Sequence, residues 1–278
     1  MWLDAKRDPM SAHDNVETVF LDELYSMLSH NTLVLPSMPE IALRIRDLAE
    51  DETSSLADIS KVINKDPALA ARLVQIANSP AFRMRHPFNS VDMAVMRLGG
   101  KMVKNIVTGM VMQQLFQSTT ELTDNKLRTY WNHATEVSEK AMELARDHKH
   151  LQIDQAMLGG LLHDIGVLPI IALAEDYPQL LIDEAQLDRL IQKAHLEIGT
   201  AIMKHWEFSP ELIAVAAHHE DLQYESEGLP DYVDVIIVAN LLSDHKKADL
   251  QGIRNLKAIP AFNKLGITHH PDTLARSA

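Results

Sequence analysis

The sequence predicts an all-α fold: apolar residues recur at three- and four-residue spacing almost throughout, alternating apolar–polar runs are absent, and aromatic residues make up only 5% of the chain. Ala, Leu, Ile, Val and Met must then fill the core, which suits packed helices. At 278 residues the chain is long enough to bury a real core in one large domain or two small ones.

The elements follow in order. Val16, Val19, Phe20, Leu24 and Met27 form the apolar face of a first helix. A second starts near Pro39, proline being favoured in a first turn, and carries Ile41, Ile45 and Leu48. Ser55 opens a short helix from Leu56 to Ile63. Asp66-Pro67, a capping acid followed by proline, starts Ala68 to Ala77, which ends at Asn78-Ser79-Pro80. Ser90 starts a helix ending near Gly99-Gly100, and Lys101 to Phe116 follows. The polar stretch Gln117 to Asn125 marks a domain boundary. Beyond it the pattern predicts helices over Leu127–His148, Asp154–His163, Asp183–Trp206, Ser209–His219 and Tyr232–His245, then a mixed tail with Pro260 and Gly266. The expected organisation is an N-terminal helical subdomain over 1–120, a second over 121–247, and a tail over 248–278 packed on the body.

Composition excludes several classes. The formal net charge is −13 and no dense Lys/Arg cluster exists, so a nucleic-acid polymer is not the expected partner. There are no cysteines, so disulfides and thiolate metal sites are impossible. Met1 to Met10 is charged and lacks the apolar stretch of a signal peptide. No segment approaches the roughly 20 uninterrupted apolar residues of a membrane span. The expectation is a cytoplasmic protein without membrane contact.

Chemistry concentrates in the second half. His133 lies in line with Val137, Ala141 and Leu144; His195 lies in line with Ile191, Ile198 and Ile202. His163 and Asp164 end a nearly all-apolar helix, and His218 and His219 end the helix opened by Ser209-Pro210. Asn240 and Asp244 share a face with Val233, Ile236 and Ile237. A lone histidine on an apolar face is ordinarily a hydrogen-bonded core residue. Several that converge satisfy one another poorly, whereas one divalent cation satisfies them all. Imidazole with carboxylate suits iron, zinc, manganese or nickel and disfavours calcium. His163-Asp164-Ile165-Gly166 is the anchor, with Gly166 expected to let the backbone turn so that both side chains reach a metal. His30, His86, His148, His150, His245 and the pair His269-His270 read as surface residues.

These motifs resemble a known superfamily. His133, then His163-Asp164, is similar to the HD superfamily of metal-dependent phosphohydrolases, whose motif runs His, His-Asp, then a distant Asp. His195-Leu196-Glu197-Ile198-Gly199 and His218-His219-Glu220 look like the next blocks of its HD-GYP branch. Leu35-Pro36-Ser37-Met38-Pro39, Asp66-Pro67-Ala68-Leu69-Ala70-Ala71-Arg72, Ala77-Asn78-Ser79-Pro80-Ala81-Phe82 and Arg97-Leu98-Gly99 closely resemble the HDOD family, over about residues 20 to 245. The resemblance implies an N-terminal HDOD bundle packed on an HD-like helical domain, and a regulatory, output or scaffold role in bacterial signalling. It implies His133, His163, Asp164, His195, His218, His219 and Asn240 as ligands of one or two ions, with Asp164 as the catalytic candidate.

The chain departs from active relatives in three places. Val167 stands where they carry lysine, Gly228-Leu229-Pro230 where they carry Gly-Tyr-Pro, and Asn240 where they close with aspartate; Asp244 is one turn on. The first expected function is therefore a regulatory module binding signalling proteins or a small phosphorylated ligand. The second is a phosphohydrolase acting on a nucleotide or cyclic dinucleotide. A mixed His/carboxylate set also suits iron and dioxygen, as in an oxygenase or a metal sensor.

Overall fold

The computed structural model describes residues 12–80, 82, 87–118, 120–246, 250, 253 and 255–267, and among these there are helices and turns but no strand. The surface positions expected for His86, His269 and His270, the side chain of His245, and the reading of Met1 to Met10 lie outside the described residues.

The N-terminal elements are α1 (Ala12–Ser29), α2 (Glu40–Glu50), α3 (Leu56–Ile63), α4 (Pro67–Ala77), α5 (Val91–Leu98) and α6 (Gly100–Met112). Their starts are written locally. Ser55 and Asp58 form a reciprocal capping box on α3. The Asp66 carboxylate accepts the Ala68 and Leu69 amides at 2.9 and 3.1 Å, ahead of Pro67 at the first position of α4. The Ser90 hydroxyl accepts the Met93 amide of α5 at 3.2 Å. On α1, Phe20 and Leu24 are fully buried, but Val19 is 48% exposed and does not belong to the inward face.

The second half contains α7 (Glu121–Arg146), α8 (Ile153–Leu162), α9 (Val167–Ala174), α10 (Pro178–Ile182), α11 (Glu184–His205), α12 (Pro210–His218), α13 (Tyr232–Leu241) and α14 (Pro260–Lys264). Three of these were not expected: α9, α10, and α14 within the tail. α9 has no helical periodicity to read because seven of its eight residues are buried, and α10 is a single turn opened by Pro178. α7 begins at Glu121, so part of the polar stretch 117–125 is its first turn. Phe20, Ile45, Leu73, Ile106 and Phe116 share one apolar core with Leu127, Leu158, Leu162, Ile165 and Ile198. A second core joins α7, α8 and α13 to Leu256, Ala261 and Phe262.

The stretch Ile153–Ala174 is long and apolar enough to cross a membrane by length and composition, although Asp154, Gln155, His163 and Asp164 interrupt it, so it is not an uninterrupted apolar run. It is 89% buried inside the fold, and it is broken at the His163–Gly166 turn between α8 and α9. Its apolarity is that of a central core element.

α11 is anchored at both ends to the N-terminal helices. Glu17 on α1 meets Arg189 at 2.9 Å and Lys193 at 3.0 Å. At the far end the Trp206 indole donates to the Pro36 carbonyl at 2.9 Å, and Arg46 donates to the Trp206 carbonyl at 3.2 Å.

Candidate metal centre

Two close helix approaches create the site. A Cβ on Gly160 of α8 would sit 2.5 Å from the Ser138 Cα of α7, and one on Gly166 would sit 2.0 Å from the His195 carbonyl oxygen of α11. Real Cβ contacts are not that short, so the absence of a side chain lets these helices touch. Gly166 has ordinary right-handed helical angles, φ −64 and ψ −16. The chain does turn at 163–166, as expected, but the glycine serves the turn by leaving space for α11 and not by an unusual conformation.

These approaches gather five side chains from four places. His133 comes from α7, His163 and Asp164 from the end of α8, His195 from α11 and His219 from the end of α12, and all five are buried. The Asp164 carboxylate is shared. Its Oδ2 lies 3.3 Å from His163 Nε2 and 3.7 Å from His133 Nε2. Its Oδ1 lies 3.2 Å from His219 Nε2 and 3.5 Å from His195 Nε2. Each oxygen thus faces its own pair of imidazoles, and each of the two groups so formed can hold a metal ion.

The other ring nitrogens fix the tautomers. Nδ1 of His163 faces the Gly160 carbonyl at 2.8 Å, that of His195 the Ile191 carbonyl at 2.8 Å, and that of His219 the Val215 carbonyl at 3.2 Å. A carbonyl only accepts, so each Nδ1 carries the proton and, in the neutral ring, Nε2 presents a lone pair. The Nε2 atoms crowd together: those of His133 and His163 are 3.2 Å apart, and the two that bear lone pairs on His195 and His219 are 3.4 Å apart. Ligand atoms bound to one ion at about 2.0–2.2 Å are spaced in roughly this way. A cation among them fits the donor set, and backbone-anchored Nδ1–H groups are the usual outer support of metal-ligating histidine.

The protonation pattern agrees. Burial works against the charge on Asp164, yet His163 and His219 hold its carboxyl well below the usual range. Burial likewise opposes charge on His163, but the adjacent Asp164 prevails and raises it. His219 is lowered, first by burial and then by its imidazole neighbours His163 and His195. The cluster holds protons unevenly when no other cation is present.

Two expected ligands are not among these five side chains. His218 is exposed, its ring 5.5 Å from that of Tyr224. Neighbouring helical residues point about 100° apart, so His219 faces inward and His218 outward. Asn240 is buried on α13 with no hydrogen-bond partner for its Oδ1, and it does not line the cavity beside the centre. Asp244 is exposed in a turn beyond α13, its amide donating to Glu136 at 2.9 Å. Val167 is fully buried in the core.

The cavity beside Asp164 has a volume of about 520 Å³, and its wall includes Tyr130, His133, His195, Glu220 and Lys246. Tyr130, one turn before His133, has its phenol pushed up by burial and then by Asp164, so it stays a proton donor. Glu220 and Lys246 were not anticipated as site residues. Glu220 follows His219 directly, which is a legible signal; Lys246 arrives from a distant turn and has none.

A family model for the HDOD domain matches residues 35–222. A solved structure from Shewanella amazonensis SB2B, provisionally named a metal-dependent phosphohydrolase, is 31% identical and superposes with a TM-score of 0.83 over 94% of each chain. An HDOD domain protein with unknown function from Geobacter sulfurreducens shares the fold at 20% identity and a TM-score of 0.59, over 95% of this chain and 93% of that one. An uncharacterized protein of Treponema pallidum (strain Nichols) is 27% identical over 224 residues, 74% of this chain, and the chain spans only 42% of that relative. With its motif blocks, its helical architecture and a family match over more than half its length in agreement, the chain belongs to the HDOD family.

Proposed function

We propose that this chain is a regulatory HDOD signalling module that binds a divalent transition metal at Asp164 and its four histidines. The observation that carries this reading is the set of four Nε2 atoms turned on both oxygens of one buried carboxylate. Buried acceptors facing acceptors are unstable unless something positive lies among them. The donor chemistry favours manganese, iron, zinc or nickel, and the two separate groups leave room for one ion or two. The amide oxygen of Asn240 is the neutral donor we assign to the same centre.

When bound, such an ion supplies Lewis acidity and an activated water. The protein's own part is to fix the imidazoles through their Nδ1–H bonds, to keep Asp164 ionised, and to offer the Tyr130 hydroxyl as a donor at the cavity wall. Hydrolysis also needs a preorganised positive charge on the phosphate, often the largest contribution to rate. Val167, turned into the core, offers none, which favours sensing over turnover.

A second reading, hydrolysis of a nucleotide or cyclic dinucleotide, is favoured by the cavity of about 520 Å³ that opens onto Asp164. Elemental analysis of untagged protein tests the first part: bound metal in the parent and none in His163→Ala/Asp164→Ala. A metal-replete assay with cyclic dinucleotides, mononucleotides and a generic phosphodiester tests the second. Negligible rates in both proteins support the regulatory module; robust parental turnover that vanishes in the double variant supports the hydrolase.

A further inference from the structure

Away from the metal centre, a second cavity lies where the two halves of the chain meet. Its volume is about 610 Å³, and residues of α4, α6, α7 and α8 line it together with the segment after α4. On α7 the lining side chains Trp131, Thr135, Ser138, Met142 and Arg146 form one continuous helical stripe. From Trp131 to Arg146 a helix rises about 22 Å, so the cavity is a long groove.

The groove is also narrow. Phe82, Ile106, Met110, Met157 and Leu161 make its floor, and none is more than 8% exposed. Apolar side chains that face a cavity of this size, yet are almost beyond the reach of water, belong to a deep slot. A helix, about 10–12 Å across with its side chains, is too wide for such a floor, whereas an unbranched chain is not. Methionine suits the lining, because its flexible, polarisable side chain adapts to a mobile apolar occupant.

The two ends differ in charge. Arg72 of α4 donates to the neutral Gln113 amide oxygen at 3.0 Å, in the turn after α6, and forms no ion pair among the described residues. That turn ends at Phe116, whose ring lies 5.3 Å from that of Trp131, so Arg72 and Trp131 mark the same end. At the other end Arg146 donates to the Pro80 carbonyl at 3.3 Å. There Glu143, one turn before Arg146, and Glu139, one turn before that, line the groove and disfavour an anion. A guanidinium has five N–H donors in a fork that matches a carboxylate, and Arg72 has most of its own to offer.

We propose that this groove binds an unbranched acyl carboxylate, its head taken by Arg72 and its chain laid along α7 toward Arg146. The site makes no use of the metal centre. It gives the chain a small-molecule input of its own, at the junction of its two halves.

The test is titration calorimetry of the full chain with octanoate, decanoate and laurate below their micelle concentrations, for the parent, Arg72→Met, Arg72→Lys and Thr135→Trp. Circular dichroism melts confirm that each variant is folded. The parent should bind a single laurate, and each step of two methylenes along the series should tighten binding about tenfold. Arg72→Met should weaken laurate about tenfold, the effect of a lost charge-assisted bond, and Arg72→Lys should weaken it less. Dodecyltrimethylammonium, with an equal chain and the opposite charge, should bind at least tenfold more weakly than laurate. Thr135→Trp fills the slot from its half-buried wall and should abolish binding. If that variant does not fold, the Arg72 variants, made at an exposed position, carry the test. No saturable binding of laurate, several laurates per chain, no gain along the series, equal affinity in Arg72→Met, or equal affinity for the cationic chain overturns the proposal. Sedimentation of the same samples covers the other occupant: a parent dimer that Thr135→Trp dissociates puts a second copy in the groove and overturns it as well.

Discussion

Gly166→Ala is the sharpest perturbation of the centre that leaves every ligand in place. An added Cβ would lie 2.0 Å from the His195 carbonyl oxygen, 2.6 Å from the Gly199 nitrogen and 2.8 Å from the His195 carbonyl carbon. All three are backbone atoms of α11, so no side chain can rotate away. Relieving the overlap to ordinary contact needs a helix shift of over about 1 Å, since packed carbons rest at roughly 3.5–4.0 Å. Overpacking of this kind costs about 1–3 kcal/mol, and a rigid backbone contact puts this case at the upper end. For a chain of this size each kcal/mol lowers Tm by about 2–4 °C, giving a fall of roughly 6–12 °C. The same shift carries His195 away from Asp164 Oδ1, now 3.5 Å from its Nε2, so metal occupancy should fall as well. Gly199→Ala is the control: its Cβ would meet the Gly166 nitrogen at 3.3 Å, a contact that yields with a few tenths of an ångström. Calorimetric melts and elemental analysis of both variants make the comparison. If Gly166→Ala melts within 1–2 °C of the parent, which is about the effect of half a kcal/mol, and keeps its metal, close helix approach is not what builds the centre.

Three further outcomes are expected. Asp164→Asn should abolish metal retention, because it replaces the one anion that all four imidazoles share, and elemental analysis reads this directly. Asp66→Ala should lower stability by about 1 kcal/mol through loss of the α4 cap, measured by urea unfolding, with no change in metal content. In chelator-stripped protein the pH dependence should have two limbs. His163 is raised, so its stabilisation is complete below the ordinary histidine value of about 6.5 and is lost as pH rises through the folded value. His219 is lowered, so its contribution is present above about 6.5 and is lost as pH falls through the folded value. Melts across this range should show His163→Ala flattening the alkaline limb and His219→Ala the acid limb; identical profiles in both variants would contradict the assignment.

The centre was largely legible because its ligands sit on helical faces that obey a simple period. His133 and His195 betray themselves by lying in line with Val137, Ala141, Ile191 and Ile198, all of which are buried. Adjacent residues were harder: His218 and His219 carry the same side chain, and only the register of α12 against its neighbours decides which one faces inward. Helix starts were readable where a side chain caps its own backbone, as at Ser55, Asp66 and Ser90. α9 was not, because an element buried on every side has no polar face to set a period. The cavity wall was the least legible part. Lys246 meets Glu220 across 26 residues and Lys126 meets Asp188 across a longer interval, and such pairings exist only once the helices have packed.

The attachments of α11 carry a mechanical implication. This helix is a stiff rod of 22 residues with His195 near its middle. One end is gripped by Glu17 through Arg189 and Lys193, and the other is moored by Trp206 to Pro36 and by Arg46. Both moorings come from the first 50 residues, whereas the opposing ligands at His133, His163 and His219 ride on elements of the other half. A force or a bound protein that moves the N-terminal helices therefore swings one jaw of the centre against the rest. Under the regulatory reading proposed above, this linkage gives a distant contact leverage on how tightly the jaws close.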